Sequence, residues 1–136
     1  ELPQASDFDD LDKRTSRFLT LLGDAVRVLD DNTGKTSRIA AFIDENYMDP
    51  SLNVGSVAEE FHISQEHLSR IFKTVTGVNV SKYLEATRIR EAKHLLAAGL
   101  PIADTALRCG YYDRRSFSTA FKRVEGIPPG AWLKQL

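Results

Sequence analysis

Two stretches of the chain, 49 residues apart, carry the same order of side chains. Leu68-Ser69-Arg70-Ile71-Phe72-Lys73 and Phe117-Ser118-Thr119-Ala120-Phe121-Lys122 both read apolar-Ser-x-x-Phe-Lys. Each follows a residue suited to cap a helix, Ser64 or Asp113, and each is closed by a glycine, Gly77 or Gly126. Setting aside the apolar face leaves Gln65, Glu66, Ser69, Arg70 and Lys73 outward on the first helix. The second leaves Arg114, Arg115, Ser118, Thr119, Lys122 and Arg123. These side chains bond to nucleic acid: arginine bidentately to guanine, glutamine to adenine, and glutamate as acceptor for a cytosine amino group. Early turns of such a helix reach base edges, and Lys or Arg farther along meets phosphate. Base reading therefore falls to Gln65, Glu66, Ser69 and Arg70 in one groove and to Arg114, Arg115, Ser118 and Thr119 in the next. Lys73, Lys122 and Arg123 are assigned to phosphates, adding affinity and salt dependence with little sequence choice.

Other elements must hold these helices. A short helix from about Val54 to Phe61 precedes the first, joined by the tight connection His62-Ile63. A matching helix, with Pro101 suited to its first turn, precedes the second and is turned by Gly110. Ala58 and Ala106, 48 residues apart, are small enough to let each pair approach closely, so the second copy carries one extra residue in its turn. Between the copies runs a helix of roughly Ser81 to Ala98, with Leu84, Ala92, Leu95 and Leu96 inward and Gly99 closing it. Its eighteen residues at ~1.5 Å each span about 27 Å, against about 34 Å between successive major grooves on one face of DNA. One chain can thus do what a repressor dimer does with two.

A helix from about Ser37 to Tyr47 opens this unit, with Ile39, Phe42, Ile43 and Tyr47 on one face, and a short helix after Pro128-Pro129 ends it, with Trp132 and Leu136 inward. On the first recognition helix Leu68, Ile71, Phe72 and Val75 form the apolar face. The expected fold is all-α: about seven helices in residues 37–136, as two helix-turn-helix subdomains (about 54–77 and 101–126) joined by the long helix, plus an N-terminal linker helix within residues 1–36. In that upstream part Leu11, Thr15, Phe18, Leu22, Ala25 and Leu29 recur at helical spacing until Asp30-Asp31-Asn32-Thr33-Gly34 is expected to break the helix. The stripe fits a homodimer through residues 11–29, a signal-transmitting helix, or plain packing.

Composition excludes much else. Hydrophobic residues make up 42% of 136 and charged residues 27%, enough to bury a core. The net charge of −1 hides a division: residues 1–36 hold eight acids and five Lys or Arg, the remainder eleven acids and thirteen bases. Three scattered histidines, with no paired carboxylates and no glycine-rich phosphate loop, lack the parts of an enzyme or a metal site, so no catalytic residue, metal or cofactor is expected. The single Cys109 reads as a small core residue. No apolar run approaches the ~20 residues needed to span a bilayer. A bacterial cytoplasm is the expected location, and the single methionine at Met48 suggests a piece of a longer chain. The competing reading is a helical protein–protein interaction module without DNA binding; such a face would expose aromatics or Met, which these helices do not.

The same residues resemble the AraC/XylS transcriptional regulators in their C-terminal DNA-binding domain, over about Ser37 to Leu136. The likeness rests on Ile63-Ser64, Leu68 to Lys73, Gly77, Tyr83-Leu84, Arg88-Ile89, Ala92 and Leu95-Leu96. It continues with Ile102, Ala106, Gly110-Tyr111, Asp113, Phe117-Ser118, Phe121-Lys122, Gly126 and Pro129. The resemblance implies seven helices, double-stranded DNA as partner, and transcriptional activation through RNA polymerase. The run Phe42 to Tyr47 resembles the subgroup fused to two-component receiver or sensor modules. Glu66 departs from the aromatic or small residue often found there, and Arg114-Arg115-Ser116 is more basic than the usual polar-Ser-aromatic run.

Overall fold

The computed structural model describes the backbone of residues 24–136 and side chains from residue 31, so the apolar stripe upstream of residue 24 lies outside the described residues. Among the described residues every regular element is an α-helix, seven in all: α1 (Asp24–Asn46), α2 (Val54–Glu60), α3 (Gln65–Thr76), α4 (Val80–Ala97), α5 (Ile102–Arg108), α6 (Arg114–Glu125) and α7 (Pro129–Leu133). Packing divides the chain between Lys35 and Thr36, and both helix-turn-helix units fall within Thr36–Leu136.

α1 is continuous through Asp30 to Gly34, where the sequence suggests a break. Glycine inside a helix costs only about 1 kcal/mol relative to alanine, whereas restarting a helix on the far side would need a second costly nucleus. Continuing is cheaper than stopping. Pro101 likewise sits one residue before the first turn of α5, as its N-cap.

Two cores form, and α4 serves both. Ile39 and Ile43 of α1, Val57 of α2, Leu68 and Phe72 of α3, and Val80 and Leu84 of α4 pack together. Farther along α4, Ile89, Ala92 and Leu96 close on Ala106, Phe117 and Phe121, with Trp132 edge-on to Phe121 at 5.8 Å between ring centroids. Cys109 is fully buried in this second core, and burial pushes its thiol up to about 11, which keeps it protonated. Two side chains expected inside are out: Val75, in the last turn of α3, is 37% exposed, and Leu136, beyond the end of α7, is 71% exposed.

Candidate nucleic-acid interface

Each recognition helix is launched by the same turn. Ile63 N–H donates to the Ala58 carbonyl at 3.1 Å in the first unit, and Tyr111 N–H to the Ala106 carbonyl at 3.0 Å in the second. Such a bond reaches back past the helix end only if the intervening residue is left-handed. His62 (φ 57) takes that conformation in the first turn and Gly110 (φ 90) in the second. Ala58 and Ala106 are both buried where the paired helices touch. The extra residue of the second turn is Tyr112, 72% exposed.

Beyond the turns, a side chain caps each helix. Ser64 Oγ accepts the His67 N–H at 3.1 Å, and Asp113 Oδ1 accepts the Ser116 N–H at 2.7 Å. The bond from Ser116 holds the Asp113 carboxyl below its usual range. Leu68, Ile71 and Phe72 anchor α3, as Phe117, Ala120 and Phe121 anchor α6. At 100° per residue the opposite side of α3 is Glu66, Arg70 and Lys73, and that of α6 is Arg115, Thr119 and Lys122. All six are exposed. The two stripes correspond position by position at the 49-residue offset. α6 carries four basic residues against Glu125, and α3 carries Arg70 and Lys73 against Glu66, so the second helix has the stronger positive field.

The remaining candidates lie off those stripes. Gln65 is exposed but folds back over α2, its Nε2 lying 3.0 Å from where a Cβ on Gly55 would sit. Ser69 and Ser118 are half-buried on the shoulders of their helices, and Arg114 is exposed at the start of α6. Arg70 is steadied by its neighbour, with Nη2 3.2 Å from His67 Nδ1. Arg123, assigned to phosphate from sequence, is ion-paired with Glu85 of α4. That pair and the Lys93–Glu125 bridge at 3.2 Å bind α6 to α4. On the other subdomain, Tyr83 Oη donates to Asp44 at 3.0 Å and ties α4 to α1.

Residues 57–135, more than half the chain, match the helix-turn-helix domain family of AraC type. The chain belongs to the AraC/XylS family. Among curated relatives, the HTH-type transcriptional activator RhaS of Escherichia coli O139:H28 is 34% identical over 96 residues, covering 70% of this chain and 34% of the relative. The chain therefore spans about a third of the length of the curated relatives it matches. Among solved structures, the C-terminal domain of AraT, a response regulator from Geobacillus stearothermophilus, superposes with a TM-score of 0.72 at 32% identity, covering 74% of this chain and 84% of that one. The C-terminal domain of the two-component response regulator yesN from Fusobacterium nucleatum gives 0.70 at 29% identity, covering 74% and 98%.

Within this AraC/XylS domain, the sequence reading does not mark two partners of the candidate site residues. His67 reads from sequence only as one of three scattered histidines, yet at three residues before Arg70 it lies one turn away on the same helix. Glu85 faces Arg123 from 38 residues away, a pairing that no local pattern signals.

Proposed function

We propose that the chain is the DNA-binding part of a transcription regulator, a sequence-specific reader of double-stranded DNA that sets α3 and α6 into adjacent major grooves. The observation that carries the reading is the repeated pair of stripes, Glu66-Arg70-Lys73 and Arg115-Thr119-Lys122, on helices launched by equivalent turns and mounted on one long helix. Arg70, Arg115 and Thr119 read bases, helped by Glu66, Ser69, Arg114 and Ser118, while Lys73 and Lys122 hold phosphates. Gln65 contributes from the start of α3, and Arg123 once it leaves Glu85. The full-length protein acts as an activator in the bacterial cytoplasm, contacts RNA polymerase, and dimerises through residues 11–29. The description of curated relatives as transcriptional activators supports the first of these. Among the described residues no helix is long and apolar enough to cross a membrane.

Selection of bound sequences from a random duplex library, with the wild type and Arg115→Ala at fixed salt, tests the reading. Two half-sites centred about ten base pairs apart are expected, with the variant losing preference in one half only. Absence of enrichment would favour the alternative of a helical protein-docking module.

A further inference from the structure

The long helix carries one arginine on its buried side. Arg88 falls four residues after Leu84 and four before Ala92, in register with both cores, and is only 9% exposed. Its Nε donates to the Tyr47 carbonyl at 2.9 Å and its Nη2 to the Asp49 carbonyl at 2.8 Å. Both acceptors lie just past the end of α1, where a helix leaves carbonyls without partners. The Tyr111 ring, from the turn between α5 and α6, lies with its centroid 5.5 Å from Arg88 Cζ. Beside it, a Cβ built on Gly110 would stand 2.4 Å from the Tyr47 carbonyl oxygen and 2.8 Å from Arg88 Nε. The second turn therefore closes directly over the bond that Arg88 makes to the first subdomain.

A guanidinium is an expensive way to fill such a place. Burial lowers its pKa, and among the described residues no carboxylate lies within ion-pair distance of it, so the Asp49 charge offsets the burial only in part. An apolar side chain would occupy the volume at less cost in desolvation. What arginine adds is a rigid planar fork, which fixes direction through two bonds and offers a flat face to an aromatic ring. Tyr47 and Asp49 belong to the first subdomain and Gly110 and Tyr111 to the second, so the fork lies where the two meet. α4 sets how far apart the subdomains stand, and the fork restrains rotation about that helix.

We propose that Arg88 is a positioning residue that fixes the angle between the two helix-turn-helix units, and so sets which half-site spacing the chain accepts; the spacing part rests on the DNA-binding reading. One inserted base pair turns the second half-site by roughly 35° and moves it by about 3.4 Å, a change that a locked pair of helices cannot follow.

The test separates angle from DNA. Spin labels at Thr74→Cys on α3 and Ala103→Cys on α5, both exposed, report the inter-subdomain distance, while the buried Cys109 escapes labelling. In free protein, Arg88→Met, which keeps the apolar stem, is expected to broaden the distance distribution with helicity retained. Arg88→Lys, which can reach the carbonyls from one nitrogen only, gives an intermediate width and carries the comparison if the methionine variant does not fold. On DNA, a one-base-pair insertion between half-sites costs the wild type about tenfold in affinity, the scale of one misplaced base contact, and costs Arg88→Met less than about threefold. A distribution as narrow in the variants as in the wild type overturns the proposal. Broadening in the variants together with no DNA binding by the wild type keeps the angular role and overturns the DNA reading instead.

Discussion

Two glycines with nearly the same backbone but different surroundings allow the contact between subdomains to be weighed. Gly77 (φ +82) ends α3 with nothing within 4 Å of a Cβ built on it, whereas Gly110 (φ +90) would place that carbon 2.4 Å from the Tyr47 carbonyl oxygen. Alanine in the left-handed region costs about 1–2 kcal/mol, partly offset by the freedom that glycine loses on folding, so Gly77→Ala should lose about 1 kcal/mol. Gly110→Ala carries that same cost and a second one. Carbon and carbonyl oxygen settle at about 3.3 Å or more, so the turn must retreat by roughly 1 Å. Retreat pulls at the 2.9 Å bond from Arg88 to Tyr47, and loosening a bond to a buried charged donor adds about 1–3 kcal/mol. The expected total is about 2–4 kcal/mol. Urea unfolding followed by circular dichroism, comparing midpoints at constant slope, measures both variants. Equal losses for Gly77→Ala and Gly110→Ala would refute the close approach.

His62→Gly should stabilise the protein by about 0.5–1 kcal/mol, because a non-glycine residue holds the left-handed place that Gly110 holds in the other turn; thermal melts check it. Arg115→Ala should cost about 1–3 kcal/mol and relax preference at one base position, while Lys73→Ala weakens all sequences alike, as read by competition binding against a panel of sites. A third expectation concerns alkali. The unfolded Cys109 thiol ionises near pH ~8.5, but the folded one only at about 11. Its folded pKa is raised, so stability is whole below the unfolded value and falls as pH climbs toward the folded one. Cys109→Ala should flatten that fall between roughly pH 8.5 and 10, before tyrosines join in. Native protein should also resist alkylation by iodoacetamide.

Local signals carried most of the fold. Ser64 and Asp113 lie where capping chemistry requires, and both recognition helices begin at the next residue. Ala58 and Ala106, picked out by size alone, are buried. Signals failed where a residue type is permitted as well as preferred, as at Gly34, which a helix tolerates once growing. Val75 kept the right period but lies one turn beyond the core, a limit that period cannot reveal. The exposed stripes of α3 and α6 were legible because an exposed stripe is the complement of a buried one. The partners of Arg88 and Arg123 were not, since Tyr47 and Glu85 meet them through tertiary folding. One clue for Arg88 was present: a charge in register with Leu84 and Ala92 on an otherwise inward face.

The stripes on α3 and α6 are homologous in place and different in kind, with Glu66 answering to Arg115 and Arg70 to Thr119. A two-fold symmetric dimer reads a palindrome the same way from either end and so has no heading. On DNA this chain would have one: its two halves are unequal and joined covalently, so a site and its reversal are different ligands. A single copy bound to its site would point along the duplex like an arrow, presenting the same flank toward whatever lies downstream.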